Sequence, residues 1–237
     1  MDSDLIALDL TNVLYTRGSL LAKAAAFVTL SPVLIMPAYV GMIITTRELT
    51  LINMFCGQLV NHVINFVLKH AVKQERPRPL GDGYGFPSLH SQTMGYFATF
   101  MFLHLNLRHS FTSYGSKLVI VDRIQRFALF LFLWAWAVAV CYSRVLLMYH
   151  SVEQVVAGFF VGALFAILHY LLTEPLRRFS RAESMRRALL DSTPARYWRL
   201  RDGWTIYTDG GFESAYNSWR RKWESLDTNA HMEGKHD

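Results

Sequence analysis

The stretch Ser143-Arg144-Val-Leu-Leu-Met-Tyr-His150-Ser-Val-Glu-Gln154 joins two long apolar segments, 127–143 and 152–173. Each segment has the composition of a membrane-spanning helix, which needs about 20 mostly apolar residues to cross the hydrocarbon layer. The polar residues between them therefore lie at a membrane surface. Arg144 ends one predicted span and His150 comes just before the next, so both belong to the same side of the membrane.

Three further segments of the chain have this apolar character, and the whole sequence is 52% hydrophobic. Long apolar blocks are typical of membrane proteins and rare in soluble cores. Residues 24–46 carry no charge, and Pro32 and Pro37 within them predict a kinked helix. With 49–68 and 91–107, the sequence predicts an all-α, polytopic transmembrane helical bundle of about five spans.

Polar side chains follow one face of the second segment at helical spacing: Gln58, Asn61, His62 and Asn65. A polar stripe in a span faces the bundle interior. Up to Asn65 we interpret it as hydrogen bonding between helices, with a functional role as the alternative. Lys69 continues the same face, and for it we predict function. Cys56 and Cys141 lie in apolar segments without disulfide or metal spacing, and we predict both as core residues.

Five spans place the loops 70–86 and 144–151 on one side of the membrane, and the loop 108–126 and the segment 174–237 on the other. Half of the 24 Lys and Arg residues fall in 174–237, so the positive-inside tendency makes that side cytoplasmic. The first side, with residues 1–23, is then luminal or extracellular. A basic, aromatic-rich chain is also compatible with RNA, but beside hydrophobic spans an anionic lipid surface is the expected partner.

These assignments divide the chain into an N-terminal luminal segment (1–23), a transmembrane core (24–173) and a basic cytoplasmic tail (174–237). Within the tail, Trp219, Trp223 and Leu226 share one helical face. Aromatic and aliphatic residues on one face of a basic helix predict an amphipathic helix that lies in the membrane interface. We expect the tail to be dispensable for chemistry.

Three motifs at the ends of apolar segments fall on the predicted luminal face: Lys69-x6-Arg76-Pro77, Pro87-Ser88-Leu89-His90 and Ser143-Arg144-x5-His150. Cations hold phosphoryl oxygens, while one imidazole attacks phosphorus and another protonates the leaving group. Ser88 is a predicted N-cap, so its hydroxyl and the N–H groups that follow, from Leu89 onward, face an anion. Each motif alone is common, but together they predict a site for a phosphate ester or anhydride.

Gln154 has two interpretations. If a helix has begun at His150, the two residues share a face and the Gln154 amide oxygen orients the imidazole. Ser151-x-x-Gln154 is also the pattern of a capping box, and the sequence leaves both open. The chain has no His/Cys/Asp cluster with metal spacing, so we expect metal-independent chemistry without a cofactor.

The three motifs resemble the signature of the type-2 phosphatidic acid phosphatases, which are relatives of the vanadium haloperoxidases. The resemblance implies an all-helical bundle and a phosphohistidine mechanism. It implies His150 as the nucleophile and His90 as the acid. The residues that hold the phosphoryl group are then Lys69, Arg76, Ser88 and Arg144. The family usually has Asp where this chain has Gln154, and Gln orients an imidazole without stabilising imidazolium by charge.

Several sequence features are similar to the branch of this family that hydrolyses dolichyl diphosphate. They are Gln154, Pro87-Ser88-Leu89-His90-Ser91-Gln92, Ser143-Arg144-Val145, Tyr149-His150, Ile44-Thr45-Thr46-Arg47-Glu48-Leu49 and Gly57-Gln58-Leu59. The resemblance covers roughly residues 30–170, and the tail is similar in kind to fungal members. It implies release of the terminal phosphate in the lumen of the endoplasmic reticulum, with dolichyl phosphate recycled for protein N-glycosylation.

Two alternatives stay open at this point. One is a phosphatase for another lipid phosphate, such as phosphatidate or a shorter prenyl diphosphate. The other is a non-catalytic lipid-binding or transport relative, in which Gln154 marks the loss of catalysis. In either case the partners are a lipid and the membrane, and nucleic acid is not expected.

Overall fold

The computed structural model describes residues 5–8, 13–78, 83–111, 119–174 and 181–233, which form ten helices and one two-stranded sheet. Residues 79–82 and Lys117, which belong to the predicted loops, lie outside this range. The helices, in chain order, are α1 (Leu20–Val28), α2 (Ser31–Thr46), α3 (Leu49–Val72), α4 (Leu89–Leu107), α5 (Val119–Leu146), α6 (Val152–Thr173), α7 (Arg181–Asp191), α8 (Thr193–Trp198), α9 (Gly203–Ile206) and α10 (Phe212–Glu233).

Four helical segments are long and apolar enough to cross a membrane: Leu20–Thr46, Leu49–Val72, Ile120–Leu146 and Val152–Thr173. The chain is therefore a multi-pass membrane protein. The first segment consists of α1 and α2, with the break between them just before Pro32, while Pro37 lies inside α2. Proline removes a backbone hydrogen bond and clashes with the preceding turn, which agrees with the break before Pro32. The helix α2 continues through Pro37, where the kink stays a prediction.

The remaining predicted span, 91–107, corresponds to α4 and differs from the others in composition and position. It has 19 residues, eleven of them buried, and it packs against α3, α5 and α6. At 1.5 Å per residue it is about 28 Å long, which is close to the hydrocarbon thickness. Because protein surrounds this helix, it carries polar residues that lipid would not accept, and it falls short of the apolarity of the other four. The count of five crossings stays a prediction.

Small residues bring α4 and α6 into backbone contact. A methyl group added at Gly158 would lie 2.6 Å from the carbonyl oxygen of Ser88, and one at Gly162 would collide with the carbonyl oxygen of Gln92. A methyl group at Gly95 would in turn collide with the carbonyl oxygen of Phe159. Gly158 and Gly162 therefore form a small-residue face of α6, and α4 is its partner.

The bundle has two ends. At the first, which we call the site end, α3 and α5 finish and α4 and α6 begin. A hairpin lies there that the sequence did not predict, in which β1 (Leu5–Leu8) pairs antiparallel with β2 (Val13–Thr16). The backbone N–H of Leu14 donates to the Tyr149 hydroxyl at 2.9 Å. The N-terminal segment and the predicted motifs therefore share one end of the bundle.

At the opposite end, the tail packs onto the helix ends through buried charges, which we call the tail-end ion cluster: Arg108, Glu174, Arg186 and Asp202. Arg108 Nη1 lies 2.6 Å from Glu174 Oε2, and Arg186 Nη1 lies 2.8 Å from Asp202 Oδ2. Arg186 also pairs with Glu174. Their side chains are at most 8% exposed, so this part of the tail completes the bundle. The expectation that the tail is dispensable for chemistry stays a prediction.

The far end of the tail forms the predicted helix. Trp219, Trp223 and Leu226 lie in α10 and are each more than half exposed, and the Trp219 and Trp223 rings stack with centroids 5.8 Å apart. An exposed aromatic stripe of this kind is typical of a helix that lies in a membrane interface. Contact of α10 with a membrane, and the cytoplasmic side of the tail, stay predictions.

Two smaller predictions are wrong. Cys56 is exposed on α3 and Cys141 is only partly buried, because positions that face lipid are as apolar as positions in a core, and their sequence pattern does not separate them. Arg123 and Arg126 lie within α5 rather than in the loop 108–126. The helix α5 begins before its apolar run, and its first turns carry charged residues.

Replacement of Arg186 by Ala is expected to destabilise the protein by about 3 kcal/mol, because it leaves Glu174 and Asp202 buried with one cation fewer. The matched control is Arg187→Ala, whose side chain is 68% exposed and pairs only with Glu183 among the described residues. An exposed pair contributes about 0–1 kcal/mol. Thermal unfolding of both variants in detergent measures the difference, and equal shifts would contradict a structural role of the cluster.

Candidate active site

Amide side chains link α3 to the start of α4. Asn65 Nδ2 donates to Gln92 Oε1 at 2.8 Å and to the carbonyl oxygen of Pro87 at 3.2 Å. Gln92 Nε2 donates to the backbone and side-chain oxygens of Asn61, both at 2.9 Å. Such bonds satisfy polar groups inside a membrane bundle. Hydrogen bonding between helices is confirmed for Asn61 and Asn65. The bond from Asn65 to Pro87 also fixes the backbone just before Ser88.

Ser88 occupies the predicted N-cap position of α4. Its backbone is extended, and among the described residues no side-chain hydrogen bond caps this helix. The Ser88 N–H donates to the carbonyl oxygen of Gln154 at 3.0 Å, and the Ser91 hydroxyl donates to Ser88 Oγ at 3.2 Å. The first N–H groups of a helix have no partner within the helix. Those from Leu89 onward are therefore placed to bind an anion.

His150 is 4% exposed, and two acceptor oxygens lie within hydrogen-bond distance of one of its ring nitrogens. Nδ1 lies 2.9 Å from the carbonyl oxygen of Gly85 and 3.2 Å from Gln154 Oε1. Because both partners accept, the proton of a neutral imidazole belongs on Nδ1, and Nε2 keeps its lone pair. The sequence analysis missed Gly85, since a loop glycine carries no signal that its carbonyl group faces a histidine.

Gln154 makes the contacts that both interpretations from the sequence require. Its Oε1 accepts from His150 and from the Ser151 N–H, the second at 3.3 Å, while its own N–H donates to Ser151 Oγ at 3.3 Å. The capping box is therefore complete. Gln154 Nε2 donates to the carbonyl oxygen of Glu75 at 2.8 Å, which fixes the amide so that its oxygen points to the imidazole.

The cation contributed by α5 is held by neutral groups. Arg144 is 4% exposed, donates through Nη1 to Thr29 Oγ1 at 3.0 Å, and lies with its guanidinium carbon 4.2 Å from the centre of the Tyr149 ring. Its buried Nε has no hydrogen-bond partner among the described residues. A buried arginine with an unused donor is placed to bind an anionic oxygen.

The other two cations come from α3 and the loop that follows it. Lys69 lies in the last turn of α3 and is partly buried. Arg76 follows in the loop, where its Nε donates to the carbonyl oxygen of Gly83 at 3.2 Å. His90 lies in the first turn of α4, within electrostatic range of Lys69, Arg76, Arg144 and His150. The fold thus gathers all the predicted site residues at one end of the bundle.

The electrostatic surroundings keep His150 neutral. Burial, followed by the positive charges of Arg144 and Arg76, lowers the pKa of His150 from its ordinary value of 6.5 to about 3. At neutral pH the imidazole is therefore unprotonated on Nε2. A nucleophilic histidine needs this state, and the neighbouring cations supply the charge that attracts an anion.

Comparison with known proteins agrees with this geometry. Residues 50–178 match the PAP2 superfamily. The chain is 38% identical over 170 residues to dolichyldiphosphatase 1 of Homo sapiens, with 70% of each chain covered. It is 35% identical over 183 residues to the dolichyldiphosphatase of Saccharomyces cerevisiae, with 73% of each covered. The chain belongs to the PAP2 superfamily, which confirms the family resemblance inferred from the motifs.

A solved structure shows the same fold. The PAP2 type phosphatidylglycerolphosphate phosphatase from Bacillus subtilis superposes with a TM-score of 0.56 at 24% identity, covering 69% of this chain and 82% of that one. The helical-bundle prediction is therefore confirmed by both the present structure and a relative of known structure.

Acid is expected to destabilise the fold partly through His150. Because its pKa is about 3 in the folded state and 6.5 ordinarily, the unfolded chain binds a proton below about pH 6.5 that the folded chain does not. Stability therefore falls as the pH drops through this window. In His150→Gln the fall is shallower. Thermal unfolding of both proteins between about pH 7 and about pH 4 measures the slopes, and identical slopes would refute the depressed pKa.

Proposed function

We propose that this protein hydrolyses dolichyl diphosphate to dolichyl phosphate and inorganic phosphate through a phosphohistidine intermediate. The observation that carries the proposal is the state of His150, whose Nδ1 faces two acceptors, so that the proton belongs on Nδ1 and Nε2 keeps its lone pair. It lies among three cations and beside a second histidine. The relatives named dolichyldiphosphatase support the choice of a diphosphate carried on a polyprenyl lipid.

The terminal phosphoryl group binds first. Lys69 supplies a point charge, and Arg76 and Arg144 offer guanidinium donors, which suit phosphate oxygens. The Ser88 hydroxyl and the N–H of Leu89 add neutral donors at the start of α4. Since these donors stand in fixed positions before the substrate arrives, they also stabilise the charge that develops during transfer.

His150 Nε2 then attacks the terminal phosphorus, and the anhydride P–O bond breaks. The electron pair of the broken P–O bond goes to the bridging oxygen of the departing dolichyl phosphate, and this oxygen takes a proton from His90. The negative charge of the bound diphosphate offsets the surrounding cations, which allows His90 to carry that proton. Phosphorylation makes the His150 ring cationic, and its Nδ1–H stays bonded to Gly85 and Gln154.

Water completes the cycle. His90, now neutral, accepts a proton from a water molecule whose oxygen attacks the phosphorus of the phosphohistidine. The N–P bond breaks and its electron pair returns to Nε2 of His150, so inorganic phosphate leaves and both histidines recover their starting states. The Gly85 carbonyl and the Gln154 amide keep the imidazole oriented in both steps.

We place the protein in the membrane of the endoplasmic reticulum with the site end facing the lumen. The support is charge: half of the 24 Lys and Arg residues lie in 174–237, whose described helices pack at the end opposite to the site. The positive-inside tendency makes that end cytoplasmic. In this position the product, dolichyl phosphate, returns to the carrier pool for protein N-glycosylation.

Purified protein in detergent with a chelator is expected to release phosphate from dolichyl diphosphate, and His150→Ala is expected to abolish the release. The control is His70→Ala, which removes an exposed histidine bonded to the Phe66 carbonyl group. Phosphatidate and a short prenyl diphosphate are assayed alongside. Faster release from either would reassign the substrate, and no release from any of them by folded protein would favour the non-catalytic alternative.

Gln154→Ala and Ser151→Ala separate orientation of His150 from capping of α6. Both remove the capping box and are expected to cost about 1 kcal/mol of stability. Only Gln154→Ala removes one of the two acceptors of His150 Nδ1, so only this variant is expected to lower kcat, by about 10- to 100-fold, as loss of an orienting contact does. Equal kcat values for the two variants, per folded molecule, would show that Gln154 acts as a cap alone.

A further inference from the structure

An open groove of about 360 Å³ lies between α2, α3 and α4 and extends to the start of α4, at the site end of the bundle. It lies on the outside of the bundle, where Val33 is 56% exposed. Its lining residues are Pro32, Val33, Met36, Pro37, His62, Leu89, His90 and Thr93.

The surface of the groove is almost entirely apolar. Two of its polar side chains, His62 and Thr93, satisfy each other, with Nε2 and Oγ1 3.1 Å apart. The proline and aliphatic residues of α2 form the opposite wall. A groove with an almost entirely apolar lining suits a hydrocarbon ligand, because burial of apolar surface is the main source of affinity for such a ligand.

The groove lies on the side of the site where the leaving group is expected. His90, the proposed acid, lines the groove, whereas His150 and its acceptors Gly85 and Gln154 do not. In an in-line displacement the nucleophile and the leaving group stand on opposite sides of phosphorus. The leaving group is therefore next to His90, and the groove begins where the lipid part of that leaving group must lie.

We propose that this groove binds the isoprene units nearest to the diphosphate and so selects a prenyl substrate by its chain. The inference rests on the proposed function and adds the lipid subsite to it. At about 360 Å³ the groove holds only the first part of a long chain. The rest extends into the bilayer past the exposed face of α2.

The test compares two tryptophan variants of adjacent, equally exposed residues. Val33→Trp fills the groove, while Leu34→Trp adds the same bulk at a residue that is 57% exposed and does not line it. Each variant is assayed with dolichyl diphosphate and with a five-carbon prenyl diphosphate. We expect Val33→Trp to lower the ratio of the two kcat/KM values, long over short chain, by about tenfold or more, since contact with an isoprene unit is lost.

Leu34→Trp is expected to change that ratio by less than about twofold. Equal ratios in the two variants would overturn the proposal. So would an equal loss on both substrates in Val33→Trp, because it would indicate damage to the phosphate site.

A binding measurement separates the groove from the proposed hydrolysis. A photoreactive polyprenyl phosphate is cross-linked to the turnover-deficient His150→Ala protein, and the labelled peptides are mapped. Labels on the α2 and α4 walls of the groove, reduced in Val33→Trp, support the subsite even if the wild-type protein releases no phosphate. Labels confined to other faces of the bundle overturn it even if hydrolysis occurs.

Discussion

Backbone contact between α4 and α6 is the interaction on which the site depends. Gly158 and Gly162 leave room for the carbonyl groups of Ser88 and Gln92, and the Ser88 N–H bonds to Gln154 across the same contact. Helices in a membrane gain little from apolar burial, so close approach and hydrogen bonding hold them together. This contact brings the starts of two helices side by side, and with them His90 and His150.

The site combines a neutral nucleophile with a buried cation, Arg144, that uncharged groups hold in place. His150 is oriented by two uncharged oxygens, of Gly85 and Gln154, and Arg144 is held by a hydroxyl group and an aromatic ring. A carboxylate in place of Gln154 would stabilise the charged imidazole but would also draw on the nearby cations. With neutral partners, the positive charge stays available to the phosphoryl oxygens, and orientation comes from geometry alone.

The two ends of the bundle solve the problem of buried charge differently. At the tail end, two arginines meet two carboxylates and form a closed cluster that joins the tail to the helices. At the site end, Arg144 contacts a hydroxyl group and an aromatic ring, and no carboxylate pairs with it in the part of the chain that the structure describes. Burial of an uncompensated charge is costly. The fold accepts this cost where an anionic substrate supplies the missing charge.

Much of this was readable from the sequence, because hydrophobic blocks set the helices and motif spacing set the chemistry. The segment 152–173 was predicted with its observed bounds, as were the cations and both histidines. The hairpin, the ion cluster of Arg186 and the exposure of Cys56 were not, since each depends on which surfaces meet. By itself the sequence determined four membrane-spanning segments and the family, and it predicted the reacting groups. Only the tertiary structure decided that Gly85 orients His150 and that a groove lies beside His90, because backbone carbonyls and the spaces between helices have no residue-type signature.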